Sequence, residues 1–487
     1  MQRPAVKYTQ LFINNEFVNS CSGKRFPVVD PSNEKVICHV EEGDAADIDL
    51  AVKAAKKAFA RNSPWRTMDA SRRGRLLYEL SDAMSKNIDY LTALEAMDAG
   101  KPVESARGDI EFAIDTFRYY AGYADKVHGK VIPCNGDVVC YTRHEPVGVV
   151  GAIVPWNYPI DTMSLKMAAA LCCGCSVVLK PAEETPLSTL FLGQLIKEVG
   201  FPPGVVNIVA GFGETAGAAL ARHPDVNAVS FTGSTAVGRS IMEAAAVTCK
   251  RVNLELGGKS PLIIFADADL DKAAEVAFEE VMCNAGQCCV AASRTYVDEG
   301  IYEEMVERFR RLAEKRTVGD PFTPGVDQGP QINQTQFDTV MRYIESGRED
   351  GARLVAGGHR QGTQGYFIAP TVFADVTEDM RIAREEIFGP VQVVLKFVSL
   401  DEVIDRANAS HYGLGAGVFT NDMDKAMRVS QALEAGTVWI NSYNSSPPMQ
   451  PFGGYKSSGM GREQGKDGLK FYTEVKTVSM PISVKNS

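Results

Sequence analysis

An α/β protein with two interleaved parallel-sheet domains is the fold class this sequence predicts, and three observations predict it. Short, wholly apolar runs alternate with stretches of helical length, the pattern of strands covered on both faces by crossover helices. Each run ends in a turn carrying glycine or polar residues, where open α/β sheets place their ligands. The 487-residue chain exceeds one hydrophobic core, so two or three domains are expected, yet no repeat, low-complexity stretch or long linker divides them.

In chain order, Ile48–Ala60 has the alanine- and lysine-rich periodicity of a helix, with Asp44 and Asp47 near its start, where acids suit the helix dipole. The runs Val147–Val154, Cys175–Leu179, Val205–Val209, Ala228–Phe231 and Arg251–Leu254 then predict the strands of one parallel sheet. A second alternating region opens at Pro261–Phe265 and closes near Gly436–Ile440.

Composition narrows the partners. A formal charge of −10 argues against a nucleic-acid partner, because phosphate binders display a basic face. No stretch approaches the ~20 uninterrupted apolar residues that span a bilayer, so no membrane association is expected. Met1–Phe17 is polar and mixed in charge, unlike a secretory signal or presequence, and Lys485-Asn486-Ser487 is no sorting signal, which leaves a cytoplasmic location as the expectation. The eleven cysteines are then reduced thiols. Cys172, Cys173 and Cys175 have no histidine near them, so no metal is expected.

The chemistry is concentrated in two segments. Gly286-Gln287-Cys288-Cys289 supplies a nucleophile and Glu255-Leu256-Gly257-Gly258-Lys259 a base. A thiol attacks a carbonyl as thiolate, and a carboxylate activates water for later hydrolysis, a pairing that suits oxidation of an aldehyde through a thioester. Alone, a cysteine is more often a small buried hydrophobe and a glutamate a solvated charge. Neighbouring motifs change those odds. Phe231-Thr232-Gly233-Ser234 leads a strand into a turn from which Ser234 begins a helix, either an ordinary cap or a pyrophosphate site. Gly211-Phe212-Gly213 misses the dinucleotide spacing, since the next glycine is Gly217. Lys180-Pro181-Ala182-Glu183 closes a strand with a carboxylate that can accept both ribose hydroxyls and repel a 2′-phosphate, or that simply forms a surface ion pair. Pro155-Trp156-Asn157-Tyr158-Pro159 is a rigid loop in which Asn157 offers an amide to an oxyanion. Glu385-Glu386-Ile387-Phe388-Gly389-Pro390 is a turn, or brings Glu386 to a ribose and Phe388 to a nicotinamide, and Pro451-Phe452-Gly453-Gly454-Tyr455-Lys456 is an aromatic-glycine loop.

These segments, in this order, resemble the aldehyde dehydrogenase superfamily over essentially the whole chain. Ser63–Ser71 and Tyr141–Pro146 are most similar to its class 1/2 branch, which includes retinal dehydrogenases. The resemblance implies the aldehyde dehydrogenase fold, NAD as cofactor and a homotetramer. Its NAD-binding domain would comprise 1–123 and 147–257, its catalytic domain 258–457, and a β-arm for oligomerisation 124–146 and 473–487. It also implies Cys289 as nucleophile, Glu255 as base and Asn157 as oxyanion donor, with Cys288 a neighbour without a chemical role. Cofactor contacts would fall on Trp156, Lys180, Glu183, Gly213, Ser234, Gln336, Glu386 and Phe388. The tunnel for a small-molecule aldehyde would be lined by Phe112, Tyr158, Asp161, Thr162, Leu165, Cys283, Ser445, Ser446 and Phe452. That lining departs from the family, with Leu165 where Trp is common, Cys283 where a bulky group is frequent and Asp161 where an aliphatic is usual. Small or cationic aldehydes are therefore expected over long apolar ones. A relaxed pocket on an intact fold also fits a homologue recruited as an abundant lens crystallin, although the presence of Cys289, Glu255 and Asn157 favours an enzyme.

Overall fold

The computed structural model describes residues 1–483, and the last four positions of the expected arm, 484–487, lie outside the described residues. Five parallel strands form the middle of the first sheet: β1 (Val149–Ile153), β2 (Ser176–Lys180), β3 (Val206–Ile208), β4 (Ala228–Thr232) and β5 (Arg251–Glu255). The first four are buried at every position, which is why they read as unbroken apolar runs. Their spatial order is β5-β4-β1-β2-β3. Chain progression therefore reverses between β1 and β4, and the register aligns Thr232 with Glu255 and Ile153 with Lys180. All of these strands end on one edge, and a crevice opens there beside the reversal point.

The first helix, α1 (Ala45–Ala58), begins a turn earlier than its periodicity predicts. Its start is set by a reciprocal cap: Asp44 accepts from the Ala46 N–H at 2.8 Å, while Asp47 accepts from the Asp44 N–H at 3.0 Å. Both chain ends complete the same domain. Strands Leu11–Ile13 and Glu16–Val18 extend the sheet beyond β3, Gly459–Met460 pairs antiparallel with β5, and Leu469 and Tyr472 enter its core. Cys172, Cys173 and Cys175 are buried in that core, the Cys175 thiol donating to the Tyr472 carbonyl at 3.3 Å.

The second sheet contains β6 (Pro261–Ile264), β7 (Arg294–Asp298), β8 (Thr371–Ala374), β9 (Val391–Phe397), β10 (Gly415–Phe419) and β11 (Thr437–Ile440). These six lie in the order β8-β9-β7-β6-β10-β11 with every neighbour parallel. Leu262 and Ile264 point into one core and Ile263 into another, so this sheet is covered on both faces. The two-domain α/β architecture predicted above is the one observed.

A separate three-stranded sheet joins Thr473–Pro481 to Val138–Pro146 over nine residue pairs, and Val131–Ile132 adds a short edge. Val131 is 81% exposed and Val475 59%, apolar surface that a single chain leaves uncovered. Among the described residues no helix is long and apolar enough to cross a membrane, and no cluster of three or more His, Cys, Asp or Glu is placed to hold a metal ion.

Candidate active site

Two cavities meet where the sheets face each other. One, of about 310 Å³, lies over the ends of β1, β4 and β5. The other, of about 460 Å³, lies between helices α2 (Val103–Ala121) and α3 (Pro159–Cys173) and the loop 444–464. Tyr158, Thr162, Glu255 and Cys289 line both. A reactant in either cavity thus reaches the same thiol and the same carboxylate.

The thiol is presented by a bent loop. Asn284, Ala285 and Gly286 all adopt positive φ, at 48°, 55° and 75°. Only Gly286 avoids the side-chain penalty of that region, and a Cβ on it would also strike the Gly389 carbonyl. Polar braces hold the bend: the Asn284 side-chain amide donates to the Asn157 carbonyl at 2.9 Å, and the buried Gln287 side chain donates to the Asn284 carbonyl at 3.0 Å while accepting from the Ile332 N–H at 2.9 Å. Asn157 donates one side-chain N–H to the Gln287 carbonyl at 3.0 Å, which leaves its second N–H for a ligand. Cys288 turns into the core and reaches only the larger cavity, whereas half-buried Cys289 reaches both. Cys289 is thus the thiol that a reactant in either cavity can meet. A hydrogen bond with Cys288, then burial and the nearby Glu255 carboxylate, hold its thiol well above the ordinary range.

Glu255 ends β5 at 5% exposure, with Oε1 unpartnered. Burial and then the charge of Glu463 push its carboxyl up to about 7, against hydrogen bonding from Cys289 and the charge of Lys166. A group poised there can take a proton from the thiol or from water and return it. Behind it lies a buried pair, Lys166 Nζ to Glu463 Oε1 at 2.5 Å, with Asn253 donating to the same oxygen at 3.1 Å and Ser230 at 3.2 Å.

Of the eight expected cofactor residues, Trp156, Ser234, Gln336, Glu386 and Phe388 line the smaller cavity. Ser234 caps α4 (Thr235–Ala246), accepting from the Val237 N–H at 3.3 Å. Gln336 donates to the Phe388 carbonyl at 2.8 Å, and Phe388 meets the Trp156 ring edge-on at 5.3 Å. Glu386 accepts from the Gly258 N–H at 3.0 Å, and burial pushes its carboxyl up to about 7. A Cβ on Gly257 would overlap the Glu386 carboxyl, so the glycine permits that approach. Glu385 instead turns away to Tyr343 and Arg381. Lys180, Glu183 and Gly213 stand further along the same sheet edge, outside this cavity. Lys180 is 3% exposed and donates to the Gly211 carbonyl at 2.7 Å and to Glu183 at 3.1 Å. Gly213 is exposed at the start of a wide helical turn, Gly213–Gly217.

All nine expected tunnel residues line the larger cavity: Phe112, Tyr158, Asp161, Thr162, Leu165, Cys283, Ser445, Ser446 and Phe452. The Tyr158 hydroxyl meets the Cys283 sulfur at 3.6 Å, and Ser446 donates to Gln464 at 3.0 Å.

Sequence reasoning missed the Lys166–Glu463 pair, the Asn284 and Gln287 braces, and Asp109. A lysine isolated within the apolar run Met163–Cys173 was a signal that a buried partner was required, though not which one. The loop braces carry no periodic or spacing signal at all.

The chain is similar in sequence and in fold to known proteins. Residues 17–478 match the model of the Aldehyde dehydrogenase family. The chain is 58% identical over 484 residues to aldehyde dehydrogenase 1A1 of Gallus gallus, covering 99% of this chain and 95% of that protein. It is 57% identical over 483 residues to retinaldehyde dehydrogenase 3 of Homo sapiens, covering 99% and 94%. An NAD⁺ complex of the aldehyde dehydrogenase from Bacillus cereus superposes with a TM-score of 0.97 at 49% identity, covering 98% of this chain and 97% of that one.

Proposed function

Because the chain belongs to the aldehyde dehydrogenase family, we propose that it oxidises an aldehyde to its acid with NAD as hydride acceptor, through a thioester on Cys289. The observation that carries this is the junction of the two cavities on Cys289 and Glu255. A hydride donor held on one side and an acceptor held on the other share one reacting centre.

The smaller cavity suits the cofactor's nicotinamide end. It lies at the sheet's reversal point, and its glycine turn leads into a helix capped by Ser234, the kind of terminus that attracts an anionic group. Trp156, Ser234, Gln336, Glu386 and Phe388 would hold that end, and Lys180, Glu183 and Gly213 the adenosine end. Bound there, NAD supplies the hydride acceptor. The chain does the rest. Cys289 gives its proton to Glu255 and adds to the carbonyl carbon, while the free N–H of Asn157 and the Cys289 backbone N–H steady the oxyanion. Departure of hydride leaves the thioester. Glu255 passes the thiol's proton to solvent and, as carboxylate, takes a proton from water; the hydroxide attacks the acyl carbon, the thiolate leaves, and Glu255 returns its proton to Cys289. Lys166 and Glu463 sit where they can fix the charge state of Glu255.

Asp161, Thr162, Leu165, Ser445 and Ser446 give the tunnel small or polar walls, favouring small or polar aldehydes over retinal or long chains. The working unit is a homotetramer in the cytoplasm, assembled through the arm 124–146 and 473–487 and its exposed Val131 and Val475. The remaining chain divides into an NAD-binding domain, 1–123 with 147–257, and a catalytic domain, 258–457. NADH formation from propanal and NAD tests the activity, and sedimentation of the purified protein tests the assembly. No NADH with any of a panel of short, aromatic, long-chain and cationic aldehydes would refute the reading.

A further inference from the structure

The 460 Å³ cavity has a marked charge imbalance: Asp109, Asp161, Glu255 and Glu463 line it, and no lysine or arginine does. Three of the four are accounted for. Asp109 pairs with Lys101, a lysine 1% exposed, Glu463 pairs with Lys166, and Glu255 serves the chemistry at Cys289. Asp161 is different. Among the described residues its carboxyl has no hydrogen-bond or ion-pair partner, and only its main-chain carbonyl is engaged, by Ser164 at 2.7 Å.

Its place in the first turn of α3 offers a simpler explanation, since acids are favoured at helix starts. The hydrogen bonds contradict it. The Ile160 N–H donates to Glu95 at 3.3 Å and the Thr162 N–H to the Tyr158 carbonyl at 3.0 Å, so Asp161 caps nothing. Burial, then the Asp109 charge, hold its carboxyl well above the usual range, and Lys101, already paired with Asp109, offsets this only in part. That is an environment short of one positive charge. Phe112, Tyr158 and Phe452 line the same space, and aromatic faces attract cations. Tyr158 already carries Lys101 on one face at 3.6 Å, so the surroundings support such a contact.

We propose that the tunnel selects aldehydes carrying an alkylammonium group, with Asp161 as counter-ion and the Phe112, Tyr158 and Phe452 rings as walls. This rests on the aldehyde dehydrogenase reading and specifies its substrate class. A carboxylate without a protein partner gains most from a ligand that brings the missing charge into a partly buried site. A neutral ligand of the same shape leaves it unpaired.

The test compares 4-(trimethylammonio)butanal with its uncharged isostere 5,5-dimethylhexanal, with propanal as control. The wild-type protein should show a kcat/KM at least tenfold higher for the cation. Asp161→Asn should bring that ratio toward one, chiefly through KM, and Asp161→Glu should retain most of it. Propanal oxidation with no preference for the cation, or an Asp161→Asn variant that slows both aldehydes equally, overturns this proposal alone. No NADH from any aldehyde of the panel, these three included, overturns the parent reading and this proposal with it.

Discussion

The two cavities that share Cys289 are built by different means. Most of the cofactor side is made from strand ends and the residues just beyond them, Trp156 after β1, Ser234 after β4 and Glu255 closing β5. Parallel register fixes their relative positions to a fraction of a residue, and a slip would displace every buried strand side chain as well. The aldehyde side is made from two helix faces and an irregular loop: Phe112 on α2, Asp161 and Leu165 on α3, Ser445 and Ser446 on the loop. Side chains there change without disturbing a hydrogen-bond ladder. The chemistry therefore stays on the rigid half, while specificity is free to drift on the other.

The sharpest break of this comparison falls at the shared centre. Cys289→Ala should reduce NADH formation below detection while the fold persists, because the only atom that forms the thioester is gone. Cys288→Ala should retain most activity. Equal losses in both would show that the wrong thiol was chosen.

Glu255→Gln should slow thioester hydrolysis more than thioester formation, so a pre-steady-state NADH burst grows while steady turnover falls by roughly 10²–10⁴-fold. Because the folded carboxyl titrates near 7, wild-type deacylation should rise with pH through that value and the variant's should be flat. Stability runs the other way. The folded pKa lies above the unfolded one, so stability is full below the unfolded value and falls as pH rises toward about 7. The glutamine variant should gain on the order of 3 kcal/mol at pH 8 and little at pH 5, readable as Tm. A lower Tm for the variant at pH 8 would contradict the burial argument.

On the cofactor side, Glu183 should make NAD bind about a hundredfold more tightly than NADP, since a 2′-phosphate meets a like charge and loses the ribose hydrogen bonds. Lys180 is already engaged by Glu183 and two carbonyls and can soften this only in part. Titration of both cofactors decides it, and equal affinities would remove Glu183 from the role.

The smallest effect belongs to the helix-and-loop half. Leu165→Trp with Asp161→Val should improve kcat/KM for long apolar aldehydes about tenfold, the worth of one or two added methylene contacts. Efficient oxidation of retinal by the unmodified protein, or no effect of the double substitution, would show that the tunnel walls do not set chain-length preference.

Much of the cofactor half was legible in the sequence because parallel strands buried on both faces announce themselves as apolar runs, and the turns after them are where ligands sit. The segments holding Cys289, Glu255 and Asn157 stood out as candidates because the residue types of each suit one chemistry, whereas the choice of Cys289 over Cys288 came from the family resemblance. The boundary of α1 was misjudged by a turn because a cap of two aspartates, not apolar periodicity, fixes its start. Tertiary structure alone decided the rest. Nothing local distinguishes Glu386, turned inward to Gly258, from Glu385, turned outward to Tyr343. Likewise Lys166 and Glu463 are far apart in the chain and meet because α3 and the returning C-terminal segment enclose one polar site beside β4 and β5. Pattern reports what a residue does to its own strand or helix, whereas the titration of Glu255 depends on which distant charge burial brings beside it.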